Sequence, residues 1–190
     1  RNIEGSLYGL NETSDEIYII CAHYDSVNRS PGADDDGSGT AAVLAAAHLM
    51  SQYKFNHTIR FVTFDGEEQG ILGSLVYAEE AKANGDNIIA VLNGDMIGYA
   101  EDPYNESKID IYDNNASQWI TNFTEEVCKK YNDSIKLTVI PSGPTYGSDH
   151  ASFWSLGYDA IFYHEHQITP YYHSPQDIIE NMNINYSTRV

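Results

Sequence analysis

Five short stretches of the chain set carboxylates and imidazoles beside glycine or at the end of an apolar run. "AHYDS" carries His23 and Asp25, "PGADDDGSGTAA" carries Asp34, Asp35 and Asp36, and "FDGEE" carries Glu67 and Glu68. "LNGD" adds Asp95, and "YYHSPQD" adds Tyr172, His173 and Asp177. Three adjacent acids repel one another, and glycines weaken any regular element around them. The triplet is therefore either a solvated loop or the wall of a cation site. Two histidines with several carboxylates and no thiolate suit zinc or another late first-row ion; an all-oxygen set would suit calcium or magnesium. The set exceeds one four-coordinate site and fits two ions that share a carboxylate and a water. His23 and Asp25 stand at i and i+2, so on extended backbone they face the same way, and Asp25 can accept the other ring N–H of a ligating His23. Glu67 and Glu68 are consecutive on a turn, so one can ligate while the other handles protons.

The elements that must hold these groups alternate. Apolar runs over Glu16–Ser26, Thr58–Glu68, Asn87–Gly98, Ile135–Pro141 and Asp159–Glu165 read as buried strands. Thr40–Lys54, Leu72–Asn84, Ala116–Asn132 and a short Ser148–Gly157 read as helices, and Gly85 stops the second of them. Strands alternating with helices over short connections predict an α/β three-layer sandwich, with a mixed, mostly parallel sheet between helices. In such folds chemistry gathers beyond the carboxyl ends of the strands, which is where the acids and histidines fall. His48 and His57 read as surface or packing residues, and His150, His164 and His166 as residues that line a pocket without holding metal.

Composition narrows the functions further. At 190 residues, with 42% hydrophobic content, the chain is expected to form one domain over 1–190 with a substantial core. It opens on Arg1 at the edge of a strand, so an N-terminal segment is expected to be missing. A net charge of −18 argues against nucleic acid or an anionic membrane surface as partner, and no apolar run is long enough to insert in a membrane. Cys21 and Cys128 form no CxxC pair and are either a disulfide or two buried thiols. Asn-x-Ser/Thr sequons begin at Asn11, Asn28, Asn56, Asn105, Asn115, Asn122, Asn132 and Asn185. Chance would give about two, and such acceptors act only on exported chains, so an extracellular or cell-surface location is expected.

Taken in order, "AHYDS", "GADDDGSG", "FDGEEQGILGS", "LNGDMIG", "GSDHASF" and "YYHSPQD" resemble the di-zinc exopeptidases of the bacterial leucyl aminopeptidase and aminopeptidase Y type. Glutaminyl cyclases and glutamate carboxypeptidases are relatives of that group. The resemblance implies two Zn2+ per chain bridged by Asp35. His23 and Asp95 would ligate one ion, and Glu68 and His173 the other. It further implies Glu67 as general base towards a metal-bridging hydroxide, Asp25 as the residue orienting His23, Tyr172 as oxyanion donor, and a cis peptide at Asp35–Asp36. The activity implied is release of N-terminal residues from peptides with a free N-terminus. Loops 100–114 and 141–147, with aromatic residues near Phe153 and Tyr163, would shape the side-chain pocket, with an apolar first residue expected. Some members carry an arginine where this chain has Gly147. A carboxypeptidase needs arginine for the substrate carboxylate, and only Arg29 of the four arginines lies near these motifs. A glutaminyl cyclase would hold one zinc and typically has a reduced acidic loop, which is complete here. The oligomeric state is left open.

Overall fold

The computed structural model describes residues 1–190. Seven strands form one sheet: β1 (Ile3–Leu7), β2 (Glu16–His23), β3 (Thr58–Phe64), β4 (Asn87–Gly94), β5 (Lys108–Tyr112), β6 (Thr138–Pro141) and β7 (Ala160–Glu165). Their order is β1-β3-β2-β4-β7-β5-β6. The centre, β3-β2-β4-β7, is parallel, while β1 joins β3 and β5 joins β7 antiparallel. All four parallel strands therefore end on one edge, and β2 leads there to His23, β3 to Glu67, β4 to Asp95.

Alternation along β2 builds the layers. Ile17, Ile19 and Cys21 pack with Phe64 of β3 and Phe153 on one face, while Ala22 packs with Val43, Ile59 and Phe61 on the other. The first face is covered by α2 (Leu72–Asn84) and α5 (His150–Ser155), the second by α1 (Gly37–Met50) and α3 (Gln118–Lys130). Phe64 and Phe153 are fully buried, and each such side chain contributes roughly 1.5–3 kcal/mol through burial alone. Cys21 and Cys128 are free buried thiols in separate core clusters, so the disulfide alternative falls away.

The elements differ from the sequence reading in several places, and three of the differences have a local reason. Helix α1 begins at Gly37 rather than Thr40, because the Asp36 side chain caps it by accepting from Gly39 N at 2.9 Å. The strand expected over Ile135–Pro141 shortens to Thr138–Pro141, since a single helical turn, α4 (Asn132–Ile135), ends on left-handed Lys136, φ 54°. The loop expected over 100–114 contains β5, whose five residues Lys-Ile-Asp-Ile-Tyr bury only two side chains. A last short turn, α6 (Ile184–Ser187), brings fully buried Tyr186 under β5. No helix is long and apolar enough to cross a membrane.

Candidate metal centre

The acidic triplet is buried, and its three members do different work. Asp36 is consumed by backbone: Oδ1 accepts from Gly39 N and Met96 N, and Oδ2 from His23 N at 3.2 Å. That side chain ties the start of α1 to the ends of β2 and β4. Asp34 Oδ1 accepts from Gly98 N at 2.8 Å. Asp35, between them, is free to face the cleft, and its peptide bond to Asp36 is cis. Its Oδ1 lies 3.3 Å from His23 Nε2 and its Oδ2 lies 3.1 Å from His173 Nε2. One carboxylate thus stands between two imidazoles, with an oxygen towards each.

Around each imidazole a second acid completes a group. Asp95 Oδ1 is 3.5 Å from His23 Nε2, and Glu68 Oε2 is 2.9 Å from His173 Nε2. Donor atoms of His23, Asp36 and Asp95 lie within 4.8 Å of one another, as do those of Asp35, Glu68 and His173. Asp36, with both oxygens already accepting from backbone, is better suited to the cap than to an ion, which leaves Asp35 as the acid that completes both groups. His23 Nε2, Asp35 Oδ2 and Glu68 Oε1 are buried without a hydrogen-bond partner. Orphaned polar atoms of this kind are costly unless something polar or charged meets them. Imidazole and carboxylate donors without thiolate suit a late first-row divalent ion such as zinc, so the residues present fit two such ions.

Electrostatics agree. Burial would lower the His23 imidazole, but Asp35 and Asp95 outweigh it and hold the proton far more tightly than usual. The cleft demands positive charge there, as a proton or as a metal. Burial tends to raise Asp95, yet the close approach and charge of His23, with the hydrogen bond from Ser148, keep it below the usual carboxylate range. Glu67 is pushed up to about 8, mainly by burial and further by Asp95 and Asp149. Burial, then Asp35, raises Glu68. Tyr172 is raised to about 12 by burial and by Asp35 and Glu68, so its hydroxyl remains a donor across the neutral range. Its ring stacks on His173 at 3.7 Å between centroids.

Asp25 occupies the expected place but acts through different atoms. The backbone carbonyl of Asp25, not its carboxylate, takes the His23 Nδ1 hydrogen bond, at 3.0 Å. The carboxylate stands 3.6 Å from that nitrogen and instead accepts from Glu67 N and Glu68 N at 3.1 and 3.2 Å. One residue therefore fixes the His23 tautomer and also shapes the turn that presents both glutamates.

Two supporting residues, Asp177 of the "YYHSPQD" stretch and Ser148, have no role in the set that the resemblance implies. Asp177 Oδ1 accepts from Asp34 N at 2.8 Å and Oδ2 from Asp35 N at 3.3 Å, joining the "YYHSPQD" loop to the triplet. Ser148 Oγ donates to Asp95 Oδ2 at 2.6 Å and accepts from Asn93 Nδ2, whose amide oxygen faces Cys21 Sγ at 3.6 Å. The "SDH" run containing Ser148 was the available signal, but a serine gives no sign in sequence of where its hydroxyl will point. Gly39 has a stated spatial need: a Cβ there would lie 2.1 Å from Gly94 O, so α1 could not approach the end of β4 that carries Asp95.

A cavity of about 230 Å³ opens from this cluster. Asp35, Glu67, Glu68, Asp95 and Tyr172 line it together with Met96, Tyr112, Phe162, His164 and Ile168, so Phe162 beside Tyr163 reaches the cavity while Phe153 lies in the core. His164 thus reaches the pocket, through the ring edge it sets against Phe162. His150 lies buried behind it with Nε2 bonded to Thr145 O, held neutral by burial that lowers it to about 4. His166 pairs with Asp110 away from the acids.

With that geometry in place, comparison with known proteins defines the class. Peptidase family M28 matches residues 2–190, and the chain belongs to that family. It is 32% identical to a "Probable leucine aminopeptidase" of Arthroderma otae over 92% of this chain and 50% of that protein. It is also 32% identical to aminopeptidase YwaD of Bacillus subtilis, over 96% of this chain and 40% of that one. Among solved structures, a zinc aminopeptidase from Bacillus subtilis superposes with a TM-score of 0.82 at 28% identity, covering 99% of this chain and 47% of that one. LapA of Legionella superposes with a TM-score of 0.84 at 28% identity, covering 99% and 54%. The chain spans about half the length of the curated relatives it matches.

Proposed function

We propose that this chain carries the catalytic centre of a zinc-dependent aminopeptidase that releases apolar N-terminal residues from peptides. The observation that carries the reading is Asp35, with one oxygen 3.3 Å from His23 and the other 3.1 Å from His173. In this reading His23, Asp95 and Asp35 hold one ion, and Glu68, His173 and Asp35 the other. Bound zinc would supply Lewis acidity for the scissile carbonyl and make water acidic enough to attack near neutral pH.

The chain's own residues do the rest. Glu67 lines the cavity beside Glu68 and Asp95 and ligates neither ion in this reading, so it is suited to take the proton of the attacking water and return it to the leaving amine. Tyr172 donates its hydroxyl to the oxygen that gains charge. The carboxylates of the cavity lining receive the cationic amine of the substrate, and Met96, Tyr112, Phe162 and Ile168 receive its first side chain. The carboxypeptidase reading is weakened because no arginine lines the cavity to take a substrate carboxylate. A one-zinc cyclase would not need both histidine–acid groups.

The test compares zinc-loaded and chelated protein on leucine and N-acetyl-leucine p-nitroanilides. Zinc-dependent cleavage of the free-amine substrate alone supports the reading. Equal cleavage of both substrates, or none of either with zinc bound, rejects it.

A further inference from the structure

The chain has 15 asparagines, and the structure divides them in a way their sequence context alone does not require. Eight begin sequons. Of these, Asn11, Asn28, Asn56, Asn115, Asn122, Asn132 and Asn185 are exposed. None of the seven donates a side-chain hydrogen bond within the chain; Asn11 only accepts, through Oδ1, from its own sequon threonine. Most of the asparagines outside sequons are used differently. Asn2, Asn87, Asn93, Asn181 and Asn183 each spend Nδ2 on a partner in the fold.

The eighth sequon marks the boundary. Asn105 is half-buried, and its Nδ2 donates to Asp102 Oδ2 at 2.9 Å and to Gln167 Oε1 at 2.7 Å. Loop location does not explain the pattern, because Asn122 lies inside α3 and Asn185 inside α6. An amide that holds the fold together cannot also carry a large solvated substituent, whereas an exposed amide with no partner can.

We propose that the seven exposed sequon asparagines are acceptors for N-linked oligosaccharide, and that the chain is made on an export route. In the transfer, Asn Nδ2 bonds to the anomeric carbon of a lipid-pyrophosphate-linked oligosaccharide. The bond from that carbon to the phosphate oxygen breaks, the lipid pyrophosphate leaves with the electron pair, and an amide proton passes to a base of the transferase. Asn105 stays bare, since a glycan would replace one of the two Nδ2 hydrogens and cost at least one of its two hydrogen bonds. Asn11 and Asn56 precede β2 and β3, at the sheet edge opposite the metal cleft, where glycans leave substrate access free.

The test uses protein isolated from the cells that make it, treated with peptide-N-glycosidase in ¹⁸O-water, which marks each former glycosylation site as labelled Asp. The expected result is a fall in mass and labelled Asp at a majority of the seven positions, with Asn105 unlabelled. Label at a minority of the seven or at none, or label at Asn105, overturns the proposal. This outcome is independent of peptidase activity, which is assayed separately.

Discussion

The two ends of the metal cleft are built by different means. At the deep end, His23 ends β2 and Asp95 follows β4 directly, and both are buried. Ser148, just before α5 and held by Asn93 of β4, donates to Asp95, so two strand ends and a buried hydroxyl set the geometry. At the rim, Glu68 sits on a turn and His173 on a loop at φ 53°, with its side chain about a third exposed. Loop-to-loop hydrogen bonds through Asp25 and Asp177 position that end. Asp35 belongs to both ends. An ion held by a rigid, dry set of ligands should bind more tightly and exchange more slowly than one held by loops open to water.

The largest expected effect separates chemistry from metal holding at the rim. Glu67→Gln should lower kcat by roughly 10²–10⁴, the usual worth of a positioned general base. Zinc content should not change; a loss of zinc would make Glu67 a ligand and not the proton carrier. Next in size is a contrast between supports. Ser148→Ala should weaken the deep ion alone, by about 10–100-fold in affinity. Asp177→Asn should weaken both, because it loosens the backbone under shared Asp35. Zinc titrations of the two variants followed by calorimetry give the comparison, and identical profiles would remove the distinction between the ends.

A third prediction concerns pH in the metal-free protein. Burial raises Glu67 to about 8, Asp149 to about 7 and Glu165 to about 11. A carboxyl raised in the fold binds more protons folded than unfolded, so its contribution to stability falls as pH rises towards the folded value. His150, lowered to about 4 from 6.5, works the other way, but only below pH 6.5. Between pH 6.5 and about 8 the thermal midpoint of metal-free protein should therefore fall, and saturating zinc should flatten the decline. The smallest effect is at His164 in the cavity lining. His164→Leu should change kcat/KM for leucine against phenylalanine p-nitroanilide by less than about tenfold, the scale of modest pocket changes.

What the sequence made legible follows from how each residue acts. The structure brings His23, Asp35, Glu67, Glu68, Asp95, Tyr172 and His173 to one edge of the sheet, the edge where the alternation of strands and helices places such groups. Apolar runs such as "EIYIICAH" mark strands by burial alone. β5 escaped because it is short and half-polar, features shared with loops. The atoms of Asp25 were misassigned because i, i+2 spacing fixes direction but not reach. Asp177 and Ser148 act on residues more than fifty positions away, and no local pattern encodes such a pairing.

The central claim is that the cleft holds two ions joined by Asp35. Crystals of zinc-loaded protein, measured at the zinc absorption edge, test it most directly. Two anomalous peaks per chain, about 3.5–4 Å apart with the Asp35 carboxylate between them, are the predicted result. A single peak, or two peaks bridged by some other residue, would contradict the account.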